Sequence, residues 1–234
     1  MTHEAIILAG GFGSRNRDIE NETNSLILVN NKPFIEYQFN YLEFWGIKRI
    51  IIACAIPGEP IKNHYGKKFG SIDIDYVNTE QTLGSGGAVK KAIQLIDSPT
   101  VFVLNGETLF DVSLRRLFNF KRSKEADVAM AIRFVSEAPH GGSVKIDINA
   151  KVIEFKEEAD QCGEEYIYGG ISCIGTRYFK NKATPDKFSM GRDFIKNYHE
   201  SDKIFGFKCY STFIDLATEV QLEKVENEIN GLSY

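Results

Sequence analysis

The chain is short of cysteine, proline, net charge and long apolar runs, and each shortage excludes something. Four cysteines, Cys54, Cys162, Cys173 and Cys209, are scattered through 234 residues with no CxxC pair and no metal-ligand spacing. They offer neither a disulfide framework nor a zinc site, so free thiols in a reducing cytoplasm are expected. Six prolines against 20 glycines exclude collagen-like and low-complexity sequence. Lys and Arg number 28 and Asp and Glu 32, a net charge of −4. The cationic excess that tracks nucleic-acid phosphates is missing, so no nucleic-acid partner is expected. No apolar run approaches the roughly 20 residues that span a bilayer. The first residues also lack a basic stretch followed by a long apolar one. Neither a membrane partner nor a signal peptide is expected. The 4 histidines do not cluster.

What is present is a core and a rhythm. Apolar residues make up 43% of the chain and charged residues 26%, enough for one large α/β domain with a soluble surface. Ala5–Ala9, Ile50–Cys54 and Thr100–Leu104 are short uninterrupted apolar runs, the pattern of strands buried on both faces. Residues 72–77 alternate and suit a strand with one wet face. Between these runs lie helical stretches at 34–45, 60–68, 88–96 and 113–121, with a strand expected at 127–135. Such alternation predicts a mainly parallel sheet with helices on both faces. Beyond residue 136 the chain is richer in strands, with a hairpin over 143–155 and strands at 166–174, 205–210 and 212–214. Helices are expected at 175–180, 189–198 and 217–229. No repeat or linker marks a boundary, so residues 1–234 form one domain with halves of about 1–135 and 136–234. The aromatic run 34–45 suits a core helix, or a partly exposed face in a homodimer.

Two glycine loops and one polar loop come after strands of the expected sheet, and ligands of such sheets sit at the strands' carboxyl ends. Gly10-Gly11-Phe12-Gly13-Ser14-Arg15 comes directly off the first strand, where bare backbone N–H groups and an arginine suit phosphates. A dinucleotide fold needs G-x-G-x-x-G and a later acid. Here Asn16 stands for the last glycine and Asn30-Asn31 for the acid, which weighs against a nicotinamide-dependent oxidoreductase. The P-loop pattern is absent too. Gly84-Ser85-Gly86-Gly87 opens a helix and suits either an anion or close packing. Asn105-Gly106-Glu107-Thr108 ends the third buried strand.

Leu8 to Arg15 resembles the L-A-G-G-x-G-[ST]-R opening of the sugar-1-phosphate nucleotidyltransferases at every position. Further blocks align in order. Asn31–Ile35 resembles the family's K-P-x-[IL] helix entry, and Leu83–Ala88 resembles L-G-T-G-G-A. Leu104–Thr108 resembles L-N-G-D-T, Gly169–Ile171 resembles G-G-I-Y, and Phe213–Asp215 resembles F-I-D. The chain is most similar to the D-glycero-D-manno-heptose 1-phosphate guanylyltransferase type. The resemblance implies a three-layer, Rossmann-like α/β nucleotidyltransferase fold (GT-A-like) with a mixed, mainly parallel sheet. It implies attack of a sugar 1-phosphate on an NTP, GTP favoured, giving an NDP-sugar for polysaccharide synthesis, and pyrophosphate. By the same resemblance Leu8, Ala9, Gly10, Gly11, Gly84, Ser85, Gly86, Gly87 and Asn105 hold the nucleoside. Gly13, Ser14 and Arg15 clamp the triphosphate, with Arg15 the catalytic cation. Glu107 and Asp215 hold Mg²⁺, and Gly170 lines the sugar side. Lys156, two residues before the position of the family's F-x-E-K lysine and so on the same strand face, is the candidate for the sugar phosphate.

The departures fall where the chemistry is. The family's P-K-P lysine aligns with Asn24, its metal aspartate with Glu107, and its F-x-E-K lysine with Glu158. Its [DE]-R-Y-G-T-V block becomes Pro139–Val144. Lost phosphate cations weaken a transition state by several kcal/mol, about 3 each. The alternative expectation is therefore a degenerate homologue that binds nucleotide without turnover. Arg17, Lys32 and Lys156 are candidate substitute cations. Alternative readings also stand: Asp215 capping the next helix, and Lys156 on a solvated hairpin face.

Overall fold

Five apolar residues in a row cannot be hidden by one helix face, and in the computed structural model each such run is a central strand. The described residues are 1–9, 24–54, 59–78, 83–135, 143–156, 165–216 and 222–232. In chain order they form β1 (Glu4–Leu8), β2 (Leu28–Val29), β3 (Lys32–Pro33), α1 (Phe34–Phe44), β4 (Arg49–Cys54), α2 (Glu59–Tyr65), β5 (Lys68–Phe69) and β6 (Ile72–Asn78). Next come α3 (Gly84–Ala92), β7 (Thr100–Asn105), β8 (Thr108–Phe110), α4 (Leu114–Ser123), β9 (Val128–Val135), β10 (Ser143–Ile146) and β11 (Val152–Lys156). The chain continues through β12 (Glu165–Gly175), α5 (Thr176–Lys180), α6 (Lys196–Tyr198), β13 (Ile204–Cys209), β14 (Phe213–Asp215) and α7 (Leu222–Asn230).

The main sheet runs β11-β10-β12-β7-β1-β4-β6-β5, with β9 on the other side of β12 and β13 beyond β9. β7, β1, β4 and β6 are parallel. β12 is antiparallel to β7 and to β9, while β13 and β9 are parallel. The sheet is thus mixed, as expected. One detail differs: β9 does not lie beside β7 as a simple β-α-β unit would place it. Residues Ile171–Gly175 of the later strand β12 come between them. That insertion depends on a pairing about 70 residues away in sequence, invisible to local alternation.

Helices cover both faces. Phe34, Phe39 and Leu42 of α1, Leu114 and Leu117 of α4 and Val225 of α7 bury one face. Val89 and Ala92 of α3, Phe179 of α5 and Phe194 bury the other. The aromatic run is core rather than surface: Phe34, Phe39 and Tyr41 are fully buried, and Phe44 alone among its large apolar residues is broadly exposed. Thr176 to Tyr198 contains the expected helices, with residues Met190–Ile195 wound more widely than an α-helix. The C-terminal helix starts at Leu222, and its expected first turn, 217–221, lies outside the described residues. No described helix is long and apolar enough to cross a membrane. Cys54 and Cys173 are buried and Cys209 is half-buried; Cys162 lies outside the described residues.

Candidate active site

The parallel strands β1 and β7 lie side by side, so the loops at their carboxyl ends leave from one edge. Leu8 pairs with Asn105. The Gly106 N–H donates to the Leu8 carbonyl at 3.0 Å, and the Ala9 N–H donates to that of Ala53 at 2.9 Å. A Cβ on Gly106 would stand 2.6 Å from Ser25 Oγ and 2.7 Å from Leu8 O. Only glycine permits that approach, and it brings the next residue, Glu107, to the carboxyl end of β1. Ser25 Oγ donates to the Gly106 carbonyl at 3.1 Å. The short turn Asn24–Leu26, where the family's lysine is replaced, therefore touches the carboxylate turn directly.

Asp215 arrives from the other end of the chain. β14 pairs antiparallel with β8, setting Asp215 opposite Thr108 and Phe213 opposite Phe110. The Leu216 N–H donates to the Glu107 carbonyl at 3.0 Å, and the Phe110 and Phe213 rings meet edge to face at 5.4 Å. Glu107 and Asp215 consequently share one small ribbon. Burial first, and then the Asp215 charge, push the Glu107 carboxyl up to about 7, against the pull of its own backbone N–H. Two like charges held together in a half-buried place are what a cation would relieve.

β12 closes the wall. Its register slips between Tyr168 and Ser172, a bulge of the kind that re-aims side chains. Gly170 sits there at φ +75, and a Cβ on it would fall 2.2 Å from Thr108 Oγ1. Burial above all, with the Glu107 charge adding to it, holds the Tyr168 hydroxyl up at about 12, so it is a neutral hydroxyl in this wall.

The second glycine loop is built differently from a bare phosphate cradle. The Gly86 and Gly87 N–H groups both donate to the Phe188 carbonyl, at 2.9 and 3.3 Å. Ser85 Oγ accepts from the Met190 N–H at 3.0 Å. Cβ atoms on Gly86 and Gly87 would lie 2.2 Å from the Phe188 ring and from Asp186 O. The close-packing reading thus describes Gly86 and Gly87, which are buried, and also Gly84, which is exposed at φ +69 but whose Cβ would fall 2.6 Å from Phe188 O. Lys90 fastens the same contact, donating to Thr184 O at 2.7 Å and pairing with Asp186 at 2.9 Å.

The cations divide. Lys156 ends β11 opposite Ser143 and meets the Glu154 carboxylate at 3.5 Å. Lys32 lies over the Tyr37 ring at 5.3 Å. Sequence reasoning missed Arg133, which donates to Phe213 O at 3.4 Å and lies over the Phe213 ring at 5.6 Å, bracing β14. It also missed Gln38, hidden in the apolar face of α1. Gly10, Gly11, Gly13, Ser14, Arg15, Arg17 and Glu158 lie outside the described residues.

Known proteins resemble this chain in sequence and fold. A family model described as nucleotidyl transferase matches residues 4–204. The chain is 34% identical over 227 residues to a D-glycero-alpha-D-manno-heptose 1-phosphate guanylyltransferase of Aneurinibacillus thermoaerophilus, covering 97% of this chain and 98% of that one. It is 33% identical over 196 residues to the enzyme of the same name from Campylobacter jejuni, covering 83% and 86%. Crystalline HddC from Yersinia pseudotuberculosis, complexed with GMP-PN, shares the fold with a TM-score of 0.85 at 24% identity, over 97% and 99% of the two chains. The family match over residues 4–204 and the identity to two guanylyltransferases over most of the chain give one conclusion: the chain belongs to the nucleotidyl transferase family, as a sugar-1-phosphate nucleotidyltransferase.

Proposed function

We propose that the chain joins a heptose 1-phosphate, or a closely related hexose 1-phosphate, to GTP, giving a GDP-sugar and pyrophosphate. The product would feed a cytoplasmic route to a surface polysaccharide. The observation that carries this reading is the Glu107–Asp215 pair on its ribbon, in a chain 34% identical end to end to a heptose 1-phosphate guanylyltransferase.

The residues fit a divalent cation by the chemistry of the donors. Mg²⁺ prefers one or two protein carboxylates and completes its shell with water and substrate phosphate oxygens. The described residues supply two such carboxylates here and form no cluster of three or more His, Cys, Asp or Glu. Glu107 and Asp215 would hold the ion. When bound, it would neutralise charge developing on the triphosphate.

This chain's own groups do the rest. A sugar-phosphate oxygen attacks the α-phosphorus and pyrophosphate leaves. Arg15, Ser14 and Gly13 would hold the departing phosphates by charge and by backbone N–H groups. Gly84, Ser85 and Asn105 would orient the nucleoside at the carboxyl edge of β6 and β7. Gly170 and the neutral Tyr168 hydroxyl would flank the sugar, and Lys156 would face its phosphate. The degenerate reading is less well supported, because Glu107 keeps carboxylate chemistry and the likeness to guanylyltransferases spans 97% of the chain. Thermal unfolding with each of the four NTPs and Mg²⁺ tests the base and the ion. GTP should raise the midpoint most, and Glu107→Gln should abolish the part of the rise that needs Mg²⁺. Equal shifts with all four NTPs would contradict the guanylyl assignment.

A further inference from the structure

We propose that Gln38 is a positioning residue: its buried amide fixes the turn that carries Glu107, and so sets where the cation-binding carboxylate lies. The inference rests on reading Glu107 and Asp215 as the cation pair.

α1 turns an apolar face to the sheet, with Phe34, Ile35, Phe39, Tyr41 and Leu42 all fully buried. Gln38 lies among them and is itself 0% exposed. Burying an amide is costly unless it is hydrogen-bonded. Gln38 Nε2 donates to the carbonyl of Asn105 at 2.7 Å and to that of Thr108 at 2.6 Å. Those carbonyls are the two ends of the turn, and only Gly106 and Glu107 lie between them. The middle of the turn is fastened as well, through the Gly106 N–H to Leu8 O and Ser25 Oγ to Gly106 O. With the backbone held at all these points, the remaining freedom of the carboxylate is in the Glu107 side chain. That side chain is one methylene longer than aspartate, so its reach depends on where its Cα is fixed.

The amide is present for its donors. Gln38 Oε1 is buried with no hydrogen-bond partner, so the residue leaves an acceptor unsatisfied while its donor group spans the turn. An apolar side chain of similar size would remove that orphan and leave two carbonyls unpaired instead. One turn further along α1, Tyr41 donates through its hydroxyl to the Val112 carbonyl at 2.6 Å. Tyr41 therefore holds the chain just after β8, five residues beyond Glu107, and provides a structural control.

Mn²⁺ binding to the full chain, read from the EPR signal of the free ion, tests this without turnover. Wild type is compared with Gln38→Met, Tyr41→Phe and Glu107→Gln, each checked by thermal unfolding. The inference predicts affinity weakened roughly 10–100-fold in Gln38→Met, the usual effect of losing a group that orients a metal ligand. Tyr41→Phe should lower the unfolding midpoint and leave Mn²⁺ affinity unchanged. Wild-type affinity in Gln38→Met with loss in Glu107→Gln would overturn the role of Gln38 alone. An equal loss in Tyr41→Phe would also overturn it, as general loosening. Equal binding by wild type and Glu107→Gln would overturn the carboxylate reading and this inference together. Should Gln38→Met not fold, the Gln38 side-chain NH₂ of the wild-type chain is monitored by ¹⁵N NMR. A shift on adding Mg²⁺ supports the inference and an unmoved signal overturns it.

Discussion

Glu107, the proposed cation ligand, is held against its own preference. Its carboxyl is pushed up to about 7 from an ordinary 4.5, by burial and by Asp215. A carboxyl raised on folding weakens the native state wherever it must ionise. The penalty is fully present above the folded value and absent below the unfolded one. The difference corresponds to at most about 3 kcal/mol. Glu107→Gln should therefore stabilise the metal-free chain at pH 8 and leave it nearly unchanged at pH 4, measured by urea unfolding. Equal effects at both pH values would mean that folding does not raise the Glu107 carboxyl, by burial or by Asp215. At this scale the sequence is legible where a block is contiguous: Leu104–Thr108 and Phe213–Asp215 point to the two carboxylates. Gln38 and Arg133 are not legible, because each lies inside an element whose pattern reads as ordinary core helix or strand. What they hold is distant in sequence.

Among the elements, the loop Gly84–Gly87 suits an anion or a packing contact, and only the tertiary partner decides. That partner, Asp186–Met190, lies about 100 residues further on. Gly87→Ala would press a Cβ to 2.2 Å from the Asp186 carbonyl, a backbone atom that cannot swing away. It should cost about 2 kcal/mol or more in denaturant unfolding. Gly46→Ala offers the contrast: φ is +78 but nothing lies within 4 Å. Only the left-handed backbone is strained there, at about 1 kcal/mol. If the two variants lose the same amount, the close packing of α3 on Asp186–Met190 is not what the glycine serves. β8 and β14 also escape sequence reading as a pair. Three residues are too few for a period to show, and their pairing spans more than 100 residues. The longer strands and helices are legible because their apolar periods are set by burial against the sheet.

Across the whole molecule, a network of opposite charges and the proposed site lie at opposite edges of the parallel strands. At the amino edge Arg49 donates to Glu4 at 2.9 Å, to Asp75 at 2.8 Å and to Leu95 O at 2.8 Å. Burial pushes the Glu4 carboxyl up, but bonds from Ser98 and Arg49 outweigh it and leave the group below its ordinary value. Such a group stabilises the fold above about pH 4.5, and that stabilisation is lost as pH falls through the folded value. Arg49→Met should cost roughly 1.5–3 kcal/mol at pH 7 and clearly less at pH 3, read from unfolding curves. A cost independent of pH would show that Arg49 acts by packing alone. At the carboxyl edge the charges are like rather than opposite, and the fold is held there by Gln38, Ser25 and the β8–β14 ribbon. The sugar-1-phosphate nucleotidyltransferase reading requires that this edge turn over substrate despite Asn24 in place of the family's lysine. Pyrophosphate release tests it most directly, with Mg²⁺, each of the four NTPs and a panel of heptose and hexose 1-phosphates. The account predicts release with GTP and a heptose or related sugar 1-phosphate, lost in Glu107→Gln. Nucleotide binding with no release from any pair, and none restored by Asn24→Lys with Glu107→Asp, would contradict it.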